Sequence, residues 1–157
     1  MASVQFNWTK IGRRVFTFVK YGCFLHCVTE YVGTLAVCSG VSMEPTIYSG
    51  DIILADRLTI AQRKLENGEI VLCKSPEDPF MYVCKRVKGM EGERILNKGI
   101  YIKIPKGHVW LEGDNKSKSH DSRNFGPVPY ALVYTRAFYR VWPPNKIGHL
   151  PKESRYG

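Results

Sequence analysis

The chain has 157 residues, 44% hydrophobic and 24% charged, with a formal net charge of +9. That length suits one domain, and the composition excludes a disordered chain. The cations are dispersed, with no zinc-finger spacing, no RNP-like aromatic motif and no Lys/Arg run beyond a pair, which argues against a nucleic-acid partner.

Residues 1–38 carry Lys10, Arg13, Arg14 and Lys20 against the single acid Glu30. Residues 11–38 are rich in apolar and aromatic side chains and are expected to form a helix. A bilayer span needs about 20 apolar residues, and Lys20, His26 and Glu30 interrupt this one. A helix lying in the membrane interface tolerates such charges better. The basic, acid-poor start also fits a mitochondrial targeting region, and a buried helix of a soluble domain is the plain alternative. The five cysteines, Cys23, Cys27, Cys38, Cys73 and Cys84, are odd in number and irregularly spaced, so they read as free thiols. No spacing suggests a metal site, and no cofactor is expected.

After Gly40 short β-branched runs alternate with Gly, Pro and Asp turns, the pattern of an antiparallel β domain. Strands are expected over 51–56, 70–74, 82–90, 93–96, 108–112 and 134–142. The polar tail from about 146 to 157 is expected to be loose. The chain therefore divides into a basic N-terminal region with an anchoring helix (1–38), a β domain (39–145) and a tail (146–157).

Three segments carry candidate chemistry. In Ser39-Gly40-Val41-Ser42-Met43-Glu44-Pro45-Thr46, a serine sits on a tight Gly/Pro turn that can expose its hydroxyl. By itself such a serine is usually only a turn residue. In Met81-Tyr82-Val83-Cys84-Lys85-Arg86-Val87, strand alternation puts Lys85 on one face with Met81, Val83 and Val87. A lysine buried there loses hydration, which disfavours its charged form, and a neutral amine can take a proton from a serine hydroxyl. The plain alternative is an edge lysine that snorkels to water. In Gly113-Asp114-Asn115-Lys116-Ser117-Lys118-Ser119-His120-Asp121-Ser122-Arg123, alternate residues Ser119, Asp121 and Arg123 share a side. Asp121 is expected to pair with Arg86 and pin this loop to the Lys85 strand, and Ser119 to orient the Lys85 amine. Read alone, the segment is a polar loop of Asx turns. A Ser-His-Asp triad fits poorly, because none of His26, His108, His120 and His149 is positioned as Lys85 is.

Taken in order, Ser-Met-x-Pro-Thr at 42–46, Gly-Asp-Ile at 50–52, Lys-Arg-Val-x-Gly at 85–89, and Gly-Asp-Asn with Ser-x-Asp-Ser-Arg across 113–123 resemble the type I signal peptidases of the serine/lysine class. Ser-Met-Glu-Pro-Thr, Trp110-Leu111-Glu112, Tyr130-Ala131-Leu132 and Val141-Trp142-Pro143 resemble the mitochondrial inner-membrane branch of that family. The resemblance implies a signal-peptidase-like antiparallel β domain with an N-terminal membrane-associated helix. It implies a serine endopeptidase with Ser42 as nucleophile and Lys85 as general base, supported by Ser119, Asp121 and Arg86. Gly40 stands where some relatives place a serine, so the oxyanion hole rests largely on backbone N–H groups, including that of Ser42. Glu93 stands where Asp is common. The resemblance further implies an inner-membrane anchor, a catalytic domain facing the intermembrane space, precursors with cleavable sorting signals as substrates, and a related second subunit as partner in a heterodimer. A non-catalytic or partner-dependent, membrane-tethered β module that binds peptides by strand addition is the competing reading.

Overall fold

The computed structural model of the chain describes residues 8–27 and 33–152. Glu30 and the tail beyond residue 152 lie outside the described residues. Helix α1 runs Trp8–Cys27 and is exposed over all its described side chains, Phe16, Phe18 and Phe24 among them. Among the described residues no helix is long and apolar enough to cross a membrane.

The strands are β1 (Thr34–Val37), β2 (Ile52–Asp56), β3 (Ile70–Lys74), β4 (Tyr82–Gly89), β5 (Arg94–Asn97), β6 (Ile100–Lys103), β7 (His108–Glu112), β8 (Val128–Pro129), β9 (Val133–Trp142) and β10 (Gly148–His149). Short helices α2 (Leu58–Ala61) and α3 (Ser122–Phe125) punctuate them. The main sheet is antiparallel in the order β1-β2-β9-β3-β4-β7-β8, and β10 pairs with β9. Strands β5 and β6 form a separate hairpin.

The run Ile70-Val71-Leu72-Cys73 is apolar at every position because both faces of the sheet are covered. Val71 and Cys73 enter a cluster with Leu65, Val87, Val109, Leu111 and Val128. Ile70 and Leu72 point the other way, to Met43, Ile47, Ile53, Ala55 and Ala137. Since paired residues share a face, the register Val71↔Lys85 and Ile70↔Arg86 sends Lys85 into the first layer and Arg86 into the second. The Lys-Arg dipeptide therefore delivers one buried cation to each side of the sheet.

Two expectations are revised. Residues 34–37 form an edge strand on β2 rather than the end of a long helix, as Leu35 and Val37 alternate outward while Ala36 packs inward. The start of the tail is docked rather than loose. Leu150 donates its N–H to the Phe138 carbonyl at 3.0 Å and packs on the second cluster. Arg86 Nη1 reaches the Pro151 carbonyl at 2.9 Å, and Lys152 pairs with Glu66.

Candidate active site

Ser42 lies on the turn between β1 and β2. Met43 and Ile47, 3% and 2% exposed, root that turn in the second cluster, and Cys38 bonds across it through Gly50 and Asp51. Ser42 opens into a pocket of about 210 Å³. Cys38, Gly40 and Met43 line it from the serine turn, and Met81, Val83 and Cys84 from around the start of β4. The serine turn thus faces the start of β4, the strand that carries Lys85. Among the described residues no histidine lines this pocket, and His120 lies on the surface against Glu77 at 2.9 Å.

Lys85 is 4% exposed, and Nζ donates to Ser119 Oγ at 2.9 Å. Burial pushes its pKa down, while the negative charge of Asp121 pulls the other way, and the net direction is down. Ser119 is also bonded to the Asp121 carboxylate. A hydroxyl has one proton, so Ser119 donates it to Asp121 and offers lone pairs to the Lys85 amine.

Asp121 is fully buried and is the hub of the 113–123 loop. It accepts from Gly113 N–H at 2.9 Å, from the Arg123 backbone N–H at 3.2 Å, and from Arg123 Nε and Nη2 at 2.9 and 2.8 Å. Burial pushes its carboxyl up, but these donors together with Ser119 outweigh it and hold the group at about 2. Asp121 also caps α3 through a reciprocal capping box with Asn124, and the buried Ser122 hydroxyl accepts the Leu111 N–H at 2.9 Å.

The expected Asp121–Arg86 pair does not form. Arg86 binds Asp114 instead, with Nε to Oδ1 at 2.8 Å and Nη2 to Oδ2 at 2.6 Å. It also donates to the Gly68 carbonyl at 2.6 Å. The physical reason is the sheet face: Asp121 lies on the Lys85 side, whereas Arg86 points to the other layer. Asp114 follows β7 directly, and Arg86 is paired with Glu112 in the ladder, so Asp114 is within reach of the guanidinium. Burial opposes ionisation of Asp114, but bonds from Arg86 and Thr46 prevail and lower its pKa. Sequence reading gave Asp114 no role. Its signal was its place in the Gly-Asp-Asn box, one step beyond a strand paired with Arg86.

Gly113 joins the serine turn to this loop. A Cβ there would come within 2.5 Å of the Ser42 carbonyl oxygen and 2.6 Å of Ser119 Cβ, and closer still to Ser119 Oγ. The Ser42 carbonyl also accepts the Asn115 N–H at 3.0 Å. The Ser42 carbonyl and Ser119, which holds the Lys85 amine, therefore meet at a position where only glycine fits.

The chain matches the family model described as signal peptidase, peptidase S26, over residues 11–103 and 96–142. It is 46% identical over 138 residues to mitochondrial inner membrane protease subunit 1 of Homo sapiens, spanning 84% of this chain and 83% of that protein. It is 35% identical over 151 residues to mitochondrial inner membrane protease subunit 2 of Danio rerio, spanning 88% and 82% of the two chains. A crystal structure of a signal peptidase I from Enterococcus faecalis superposes with a TM-score of 0.38 at 22% identity, over 44% of this chain and 92% of that one. A family model matched through the β strands, and relatives alike over more than four-fifths of both chains, make this chain a member of the signal peptidase family, peptidase S26.

Proposed function

We propose that the chain is a membrane-bound serine endopeptidase that removes sorting peptides from precursors reaching the mitochondrial intermembrane space, with Ser42 as nucleophile and Lys85 as general base. The observation that carries this reading is Lys85 itself: a lysine 4% exposed, with its pKa lowered by burial, whose nitrogen is held by a neutral hydroxyl in the layer behind the serine turn. A structural lysine in a β core gains nothing from such a setting, because burying an ammonium is costly. A base for a serine hydroxyl needs it.

The chemistry follows from the donors and acceptors. Ser119 accepts a hydrogen bond from one Lys85 N–H and donates its own O–H to the Asp121 carboxylate, which leaves the lone pair of the neutral amine for the Ser42 hydroxyl. Lys85 accepts that proton as Ser42 Oγ attacks the scissile carbonyl. The backbone N–H of Ser42 meets the developing oxyanion. The carbon–nitrogen bond breaks as protonated Lys85 gives its proton to the leaving amine. Neutral again, Lys85 takes a proton from a water that attacks the acyl-serine ester; the ester C–O bond breaks as Lys85 returns that proton to Ser42 Oγ, and the carboxylic product leaves. Arg86 and Asp114 hold the strand and loop together from the opposite face, so that Lys85 keeps its place.

The relatives named as subunits 1 and 2 of one protease support a related second subunit as partner, and their names support an inner-membrane site of action. Helix α1, basic and exposed along its apolar face, is the part that meets membrane lipid, with the β domain in the intermembrane space. The test is cleavage of a synthetic precursor peptide carrying a sorting signal by purified protein in detergent, with and without the second subunit. Wild type yields one new N-terminus and Ser42→Ala yields none. Equal cutting by Ser42→Ala sinks the reading.

A further inference from the structure

The mechanism leaves two thiols beside the nucleophile unused. Cys38 and Cys84 both line the Ser42 pocket, one from the serine turn and one from β4. Cys38 begins the stretch leading from β1 into the serine turn, and Cys84 precedes Lys85 in β4. Both side chains pack on the same cluster, and their thiols are hydrogen-bonded to one another. Each cysteine belongs to a segment that holds one member of the proposed catalytic pair.

We propose that Cys38 and Cys84 form a reversible dithiol–disulfide site that closes the substrate groove when oxidised, an inference that rests on reading this groove as the peptidase site. The asymmetry of the pair fixes the order of events. The Cys84 thiol donates to Cys38 sulfur; that bond lowers the Cys38 pKa against the effect of burial, and raises that of Cys84 with burial adding to it. Cys38 is thus the more acidic of the two thiols, partly exposed at the groove, and the one that attacks as a thiolate. With a peroxide as oxidant, Cys38 sulfur attacks one peroxide oxygen. The O–O bond breaks, and the leaving hydroxide departs as water with a proton. Cys38 is now a sulfenic acid. Cys84 sulfur attacks Cys38 sulfur, the S–O bond breaks, and hydroxide takes the Cys84 proton as a second water. The two thiols lose two electrons and the peroxide gains them. A dithiol reverses the bond by exchange.

Cys73 does not compete, since it is 0% exposed and burial pushes its thiol up to about 12. Cys23 and Cys27 are exposed on α1, away from this pocket, and are replaced by serine in the test protein.

The test uses the full chain in detergent, treated with hydrogen peroxide and then dithiothreitol. Peptide mapping should find Cys38 linked to Cys84. Affinity for the fluorescent precursor peptide, measured on Ser42→Ala, should fall by at least about tenfold on oxidation and return on reduction. Each variant is compared with itself: Cys84→Ser should lose this response and leave Cys38 as a sulfenic acid that dimedone captures. If no cross-link forms at a peroxide dose that oxidises exposed Cys23 in the unsubstituted chain, the proposal fails. It fails equally if the cross-link forms and peptide affinity is unchanged. Because affinity is read on Ser42→Ala, a chain that cuts nothing still decides the matter.

Discussion

Replacing Asp121 by Asn should remove a specific, pH-dependent part of the stability. Asp121 is fully buried and held at about 2 against its ordinary 3.8, because donors from Arg123, Gly113 and Ser119 outweigh burial. That difference corresponds to about 2 kcal/mol of native-state stabilisation, each pKa unit being worth about 1.4 kcal/mol. The sign follows from the direction: the folded carboxyl binds its proton less readily than the unfolded one. Its contribution is whole above 3.8 and drains away as pH falls towards 2. Urea unfolding followed by near-ultraviolet circular dichroism, for which buried Trp110 is a native probe, measures this directly. Wild type should exceed Asp121→Asn in stability near neutrality, and the gap should narrow by about 1.5 kcal/mol by about pH 2.5. A gap that stays constant with pH would show that Asp121 is not held as an ion by these donors.

Other substitutions separate packing from chemistry. Gly113→Ala should cost about 1–3 kcal/mol in thermal or urea unfolding and roughly a hundredfold in cleavage rate, since its Cβ displaces the Ser42 carbonyl and Ser119 together. Arg86→Met should cost about 3–5 kcal/mol in urea unfolding by leaving Asp114 without its cation and two carbonyls unpaired, and adding Asp114→Leu should recover part of it. Ser119→Ala should shift the pH at which cleavage reaches its plateau and lower the rate, with little change in KM, because Ser119 touches the Lys85 amine rather than the pocket. Ending the chain at His149 should lower the midpoint of thermal unfolding, by removing Leu150 from its cluster and the Pro151 carbonyl from Arg86.

Most of the central sheet was legible in the sequence, because its strands are buried on both faces. The runs at 70–74 and 108–112 are apolar throughout and flanked by turn residues, and they match β3 and β7. Strands β1, β6, β8 and β10 were not seen. The first lies at the end of a stretch whose composition reads as helix, β6 is a four-residue strand paired only with β5 in the separate hairpin, and β8 and β10 are only two residues long, held by pairing to a longer neighbour. Alternation along 81–87 gave Lys85 its correct face, since that depends only on the strand period. It could not give Arg86 its partner. Two acids, Asp114 and Asp121, lie in one loop, and only the three-dimensional path of that loop decides which one lies on which side of the sheet. The close approach at Gly113 was invisible for a similar reason: the contact with Ser42 joins residues far apart in sequence, and a glycine in a loop announces nothing by itself.

The central claim is that Lys85, and no other group, takes the Ser42 proton. The most direct test is the single-turnover rate of precursor cleavage by wild type and Lys85→Met, from about pH 6 to about pH 10. The account predicts a wild-type rate that rises as one group deprotonates below the ordinary lysine value of 10.5, and a Lys85→Met protein that folds but cuts slower by several orders of magnitude. A Lys85→Met protein that keeps both the rate and its pH profile would contradict it.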